Sequence, residues 1–76
     1  MSPFTQDELK EILNKHAKWL QKEEGGEQAD FKGADLASVN LVGVALEKAD
    51  LTGADLRGAN LTAANLTIAN LTSANR

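Results

Sequence analysis

Small, polar and large residues recur with a fixed period in the second part of the chain. A five-residue unit is repeated nine times without a gap over residues 29–73, and a tenth copy begins at Ala74. Each unit has a small apolar residue in its first position, usually Asp or Asn in its second and a large apolar residue in its third. The third-position residues are Phe31, Leu36, Leu41, Leu46, Leu51, Leu56, Leu61, Leu66 and Leu71. This triplet predicts a three-residue strand with both apolar side chains on one face, and the last two positions, often Gly, Ser or Thr, predict a tight turn.

A period of five excludes the two common regular structures. On an α-helix, residues five apart are rotated by about 140°, so the large residues would scatter around the helix. In a flat strand, an odd period would place successive large residues on opposite faces. A polygonal coil satisfies the period, because every unit can then point its first and third positions inward. Coils of this kind stack and bury one another.

The tandem A-D-L-x-G and A-N-L-x-x units resemble the pentapeptide-repeat family over residues 29–76. The resemblance implies an all-β solenoid, specifically a right-handed quadrilateral β-helix with four units per coil and about two coils in this chain. It also implies inner columns of residues twenty apart. These columns are Phe31 with Leu51 and Leu71, Leu36 with Leu56, Leu41 with Leu61, and Leu46 with Leu66.

Residues 5–22 have the pattern of one amphipathic helix. Thr5 and Glu8 match a capping box, and Phe4 and Leu9 fall at the positions of a hydrophobic staple. One apolar stripe follows helical spacing. It contains Leu9, Ile12, Leu13, His16, Trp19 and Leu20. The pair Gly25-Gly26 is predicted to end the helix and turn the chain.

We expect this helix to cap the coil, since the end of a solenoid exposes apolar surface and unpaired backbone groups. Residues 1–28 then form the capping helix and linker, and residues 29–76 form the β-helix as one structural unit. A helix of this length exceeds one side of a coil, so we predict an overhang at Phe4 and Leu9 that serves as a contact surface. Similar segments, with His16, Trp19-Leu20 and Gly25-Gly26, precede pentapeptide arrays in bacterial and phage-type proteins.

Single residues in the coil have structural interpretations. Gly33, Gly43, Gly53 and Gly58 are predicted corner residues, and Val42 and Ile68 are predicted to point outward. Ala45 replaces the usual Asp or Asn, which we interpret as local repacking beneath the helix. The threonines of the later units are predicted to lie on exposed strand edges. Their neighbouring Asn residues are predicted to bond backbone at the corners. These residues are Thr52, Thr62, Thr67, Thr72, Asn60, Asn65, Asn70 and Asn75.

The composition adds few candidates for chemistry. The chain has no cysteine, one histidine and a formal net charge of −3. His16 therefore has no second His or Cys as a partner for catalysis or metal binding, and we interpret it as a packed cap residue. Stacked pairs of carboxylates, Asp30 with Asp50 and Asp35 with Asp55, leave a cation site open as an alternative, although we favour a structural role. We predict no catalytic residue, no cofactor and no metal.

The function predicted from these features is that of a non-enzymatic structural scaffold or protein-interaction module. Its candidate contact surface is the outward set of Asp, Asn and Thr side chains with Lys48 and Arg57. The sequence lacks the basic stripe that is typical of nucleic-acid binding, so we expect no nucleic-acid partner. It also lacks an apolar run long enough to span a membrane, and we expect a cytoplasmic protein. We expect the last coil either to dock end to end on another copy or to continue in a longer array. Two alternatives stay open: a DNA-mimic regulator of gyrase, as some longer pentapeptide-repeat proteins are, and a folding or capping fragment of a longer repeat protein.

Overall fold

The computed structural model describes residues 5–76. Within that range it has one helix, α1 (Gln6–Leu20), followed by a turn region and a coil. Phe4, which was predicted to take part in the staple and in the overhang, lies outside the described residues.

Helix α1 begins with the predicted capping box. Thr5 is the N-cap, and its hydroxyl oxygen accepts a hydrogen bond from the Glu8 N–H at 3.1 Å. The Thr5 N–H donates in return to Glu8 Oε1 at 2.9 Å. Two of the backbone N–H groups that the first turn leaves unpaired are therefore satisfied. The capping box is confirmed.

Helix α1 ends earlier than residue 22, and the prediction that Gly25-Gly26 ends it is wrong. Lys22 has a left-handed backbone, with φ of 59°. The N–H of Glu23 donates to the Lys18 carbonyl at 2.9 Å, which is the long hydrogen bond of a Schellman motif. A lysine thus takes the position that glycine usually holds. Gly25 does turn the chain, with φ of 82°.

The remainder of the described chain winds into a coil with a register of twenty residues. Six isolated parallel β-bridges occur within residues 5–76, and each joins two second-position residues that are twenty apart. They pair Asp30 with Asp50, Asp35 with Asp55, Asn40 with Asn60, Ala45 with Asn65, Asp50 with Asn70, and Asp55 with Asn75. The predicted three-residue strands are therefore reduced to single bridged residues, since a turn interrupts the chain every five residues.

Backbone hydrogen bonds fix this register on both sides of each bridge. The Leu36 N–H donates to the Asp55 carbonyl at 2.8 Å, and the Asp55 N–H donates to the Ala34 carbonyl at 2.8 Å. Leu36 therefore stacks on Leu56, twenty residues away, and not on Leu51. Twenty residues correspond to four units, which is the spacing that the predicted inner columns require.

The fifth position of all nine units has a left-handed backbone. Gly33, Gly43, Gly53 and Gly58 have φ of 66–72°, which confirms them as corner residues. The same conformation extends to five residues with side chains, at φ of 60–62°. These are Ser38, Lys48, Ala63, Ile68 and Ser73. The coil geometry overrides local preference here, because an L-residue pays about 1–2 kcal/mol in this region.

The core lies inside the coil and continues under α1. The third-position residues from Phe31 to Leu56 are all buried, at 0–3% exposure. Ala29, Ala49 and Ala54 complete the coil part of this cluster. Leu61, Leu66 and Leu71 are half-buried and pack against it. Val42 and Ile68 point outward, as predicted, with exposures of 48% and 76%.

Candidate interaction surfaces and the helix–coil junction

The second-position Asp and Asn side chains are partly committed to the coil itself. In eight units the Oδ1 atom accepts a hydrogen bond from the backbone N–H two residues later, at 3.0–3.1 Å. This is an Asx turn, in which the side chain takes the place of a backbone acceptor. The predicted bonding of Asn to neighbouring backbone is confirmed for Asn60, Asn65 and Asn70.

Threonine in the fourth position adds a second bond to the same oxygen. The hydroxyl groups of Thr52, Thr62, Thr67 and Thr72 donate to Oδ1 of the Asp or Asn two residues earlier, at 2.6–2.7 Å. The prediction that these threonines lie on strand edges is wrong, because they lie in the turns. The spacing Asp/Asn-Leu-Thr was visible in the sequence and is the signal that could have revealed this bond.

Two carboxylates on the outer surface have shifted pKa values. Arg57 Nε donates to Asp55 Oδ1 at 2.9 Å and Arg57 Nη2 donates to Oδ2 at 2.7 Å. The Arg57 side chain, followed by its backbone N–H, lowers the pKa of Asp55 to about 2. The hydroxyl of Thr52 and then its backbone N–H lower the pKa of Asp50. Both carboxylates therefore stay ionised at neutral pH, although both oxygens of Asp55 and the Oδ1 atom of Asp50 already have partners.

Ala45 leaves one turn without an Asx acceptor. The fourth-position residue of that unit is Glu47, which is half-buried. Its Oε1 atom is buried and has no hydrogen-bond partner within residues 5–76. The same unit contacts α1, since the Glu47 carbonyl lies 2.7 Å from His16 Nε2.

His16 joins α1 to the coil. The ring is fully buried, and its Nδ1 atom accepts a hydrogen bond from the Ala29 N–H at 2.9 Å. The ring stacks on Trp19, with centroids 5.5 Å apart. The connecting segment is tied to the same part of the helix, because the Glu27 N–H donates to the Lys15 carbonyl at 3.0 Å.

The other predicted cap residues are not all placed against the core. Leu9 is buried at 6% exposure and belongs to the core cluster, and Ile12 and Leu13 pack against that cluster. The predicted overhang at Leu9 is therefore wrong, because α1 lies over the coil at this residue. Trp19 and Leu20 are half-buried, and the residues packed on the core cluster do not include them.

Gly26 allows α1 and the connecting segment to approach closely. A Cβ atom at this position would lie 2.4 Å from the Trp19 backbone nitrogen and 2.6 Å from the Trp19 Cα. Such distances are far below van der Waals contact. The sequence suggested a turn at this glycine, but nothing in it indicated the helix backbone beside it.

A shallow groove of about 360 Å³ runs between α1 and the start of the coil. Four of its lining residues are acidic: Glu8, Glu11, Glu27 and Asp30. Lys15 also lines it and pairs with Glu11 at 3.4 Å and Glu27 at 3.6 Å. No group of three potential metal ligands occurs among the described residues. In the same part of the chain, no helix has the length and apolar character needed to cross a membrane.

The five-residue units, the register of twenty and the Asx turns together define a β-helix solenoid. The chain belongs to the pentapeptide-repeat family: the family model for pentapeptide repeats matches residues 29–67 and 49–75, with eight copies, and so covers more than half of the chain. No curated protein matches the chain significantly. Membership of this family supports a repeat-protein scaffold or interaction module as the general function.

Proposed function

We propose that this protein is a non-enzymatic scaffold that binds other proteins through the surfaces of a right-handed quadrilateral β-helix. The β-helix has about two coils, and α1 caps its N-terminal end. The filled interior supports this proposal, because the inner columns hold Leu, Phe and Ala side chains that are buried at 0–3% exposure from Phe31 to Leu56. Binding then depends on the outer faces and on the ends of the coil.

The partner that we propose is a second copy of the chain, docked end to end on the last coil. The observation that carries this proposal is the burial gradient along the inner columns. Leu41, Leu46 and Leu51 have 0% exposure, whereas Leu61 and Leu66, which lie under the first two, are half-buried. Either a docked copy or further units of the repeat would cover this apolar floor, and apolar burial is worth roughly 25 cal/mol per Å².

Backbone groups on the same floor favour docking of a coil rather than of an irregular surface. Within the stack, third-position N–H groups donate to the next coil, as Leu41 does to Asn60 and Leu46 does to Asn65. The N–H groups of Leu61 and Leu66 are the next in this series along the chain. An edge of this kind is a template for pairing with another chain.

The test is the molar mass in solution, measured by light scattering over a range of protein concentrations. We expect the mass to rise toward that of a dimer. Leu66→Lys places a charge on the docking floor and should return the protein to a monomer. Ile68→Lys is the matched control, because Ile68 is two residues away and 76% exposed on the outside of the coil, and it should leave the dimer intact.

A monomer at every concentration, with circular dichroism showing an intact fold, would reject end-to-end docking. Equal effects of the two lysine variants would reject the floor as the interface. The competing role as a DNA mimic is weakened by the pairing of Asp55 with Arg57 and by the small net charge of −3. A gyrase supercoiling assay decides it, and inhibition by the monomeric Leu66→Lys variant would favour mimicry over the scaffold role.

A further inference from the structure

Both nitrogens of the His16 ring are bonded to the backbone of the coil. Nε2 lies 2.7 Å from the Glu47 carbonyl oxygen, and Nδ1 accepts from the Ala29 N–H at 2.9 Å. Because Ala29 supplies a donor, Nδ1 carries no proton; because Glu47 supplies an acceptor, Nε2 carries one. The contacts therefore select the neutral ring with its proton on Nε2.

The Nε2 contact occupies a place that a backbone N–H fills elsewhere in the coil. In the repeating pattern, the fifth-position N–H donates to the fourth-position carbonyl nineteen residues later. The Lys48 N–H, for example, donates to the Thr67 carbonyl at 3.0 Å. By the same register, the Glu47 carbonyl would accept from the N–H of residue 28. It is His16 that contacts this carbonyl.

The Nδ1 contact replaces a backbone carbonyl in the same way. In each turn, the first-position N–H donates to the third-position carbonyl three residues earlier, as Ala49 does to Leu46 at 3.1 Å. For Ala29 that acceptor would belong to residue 26. The Ala29 N–H donates to His16 instead, so the ring supplies the acceptor and the donor that a preceding coil would have supplied.

We propose that His16 substitutes for a peptide unit at the start of the coil and thereby acts as a pH-sensitive latch that holds α1 on the first coil. The neutral ring satisfies both backbone groups. A protonated ring carries N–H on both nitrogens, so Nδ1 then faces the Ala29 N–H, donor against donor. Acidification therefore weakens the junction and releases α1 from the apolar surface of the first coil, which it covers.

Charged residues occur on each of the three segments that meet at His16, namely α1, the connecting segment and the coil. Lys15 on α1 pairs with Glu27 of the connecting segment at 3.6 Å. On the coil, Glu47 has a carboxylate oxygen that is buried and has no hydrogen-bond partner among the described residues. Glu47 is thus the acidic group that competes with His16 as the source of any pH effect. Its contact with the ring, however, runs through the backbone carbonyl, which does not titrate.

The experiment measures the unfolding equilibrium between pH 7.5 and 5 for the wild type, His16→Gln and Glu47→Gln. A buried neutral histidine must take up a proton on unfolding, so stability falls with decreasing pH. For the wild type we expect the ratio of folded to unfolded protein to fall as the pH is lowered from 7.5 to 5, by at most tenfold per pH unit because one proton is involved. His16→Gln keeps an acceptor and a donor without a titrating group, so its curve should be flat. Glu47→Gln should keep the wild-type slope.

Two spectroscopic readouts follow the latch in the wild type. Nitrogen NMR of the one imidazole should show the proton on Nε2 at neutral pH. The emission of Trp19, the sole tryptophan, should change over the same pH range, because its ring stacks on His16. A proton on Nδ1 at neutral pH, a wild-type slope in His16→Gln, or a flat curve in Glu47→Gln would each overturn the proposal. If His16→Gln does not fold, the NMR tautomer decides.

Discussion

Substituting Gly26 with alanine tests how closely the connecting segment packs on α1. The Cβ atom would lie 2.4 Å from the Trp19 nitrogen, 2.6 Å from the Trp19 Cα and 2.7 Å from the Lys18 carbonyl carbon. These are backbone atoms within a helix, so no change of side-chain rotamer relieves the contact. An ordinary contact requires the two segments to separate by about 1 Å, and well-packed structures resist such shifts.

The steric contact, rather than the loss of conformational freedom in the unfolded chain, decides whether Gly26→Ala raises or lowers the free energy of unfolding. Gly26 does not have a left-handed backbone, and a Gly→Ala change at a compatible backbone stabilises by about 0.4–1 kcal/mol through the unfolded chain. Overpacking costs about 1–3 kcal/mol, and more where backbone must move. We expect Gly26→Ala to lower the free energy of unfolding by about 1–3 kcal/mol. In a domain of this size, that lowers the melting temperature by at least about 4 °C.

Gly25→Ala is the matched control. Nothing lies within 4 Å of a Cβ atom at Gly25, but its φ of 82° strains any L-residue. The cost there is the left-handed penalty of about 1–2 kcal/mol, reduced by the loss of about 0.5–1 kcal/mol of glycine entropy. Thermal unfolding followed by circular dichroism measures both variants. If Gly26→Ala melts at or above the wild-type temperature, or above Gly25→Ala, the close approach of the two segments is wrong.

Three further substitutions test the turns. Ala45→Asn should raise the free energy of unfolding by about 0.5–1 kcal/mol, because the Asn Oδ1 supplies the missing acceptor to the Glu47 N–H. Ala45→Gln is the control, since its side-chain amide lies one methylene farther from the backbone. An equal gain in both variants would contradict the Asx turn. Ile68→Asn should raise the free energy of unfolding, measured with denaturant, by about 1 kcal/mol, since Asn tolerates a left-handed backbone better than a β-branched residue. A loss of stability would show that the exposed Ile68 side chain contributes more than the relief of backbone strain. Arg57→Ala should move the pKa of Asp55, seen by carbon NMR, from about 2 toward 3.8. In the wild type this pairing stabilises the fold above about pH 4 and is lost as the pH falls toward 2, so an unchanged titration would refute it.

The repeat could be predicted from the sequence because its signal is repeated nine times. One third-position leucine says little, but nine at a period of five exclude a helix and a flat strand together. The register of twenty came from the family resemblance rather than from the residues. The four glycines were predicted as corner residues without a backbone conformation, and nothing local indicates that Ile68 or Lys48 adopts a left-handed one. Closure of the coil imposes it on every unit.

The junction between α1 and the coil could not be predicted in the same way, because each of its contacts occurs once. Gly26 looks like an ordinary turn residue until the helix backbone is placed beside it. Lys22 ends the helix although a glycine pair lies nearby. His16 was expected to be a packed residue, which its burial matches, but its two backbone bonds depend on the distant Ala29 and Glu47. Long-range contacts of single residues leave no period in a sequence.

The irregular unit of the repeat coincides with the junction, and a physical reason connects the two. In eight units, an Asp or Asn side chain holds the fourth-position N–H and fixes the turn. In the unit of Ala45 that side chain is absent, and the fourth-position carbonyl, that of Glu47, is bonded by His16 instead. The two bonds involve different groups of the residue: the Glu47 N–H lacks the Asx acceptor, and His16 restrains the same residue through its carbonyl. We therefore expect Ala45→Asn to add more to the free energy of unfolding when the contact of His16 with the Glu47 carbonyl is weakened. The gain measured at pH 5 should exceed the gain at pH 7.5.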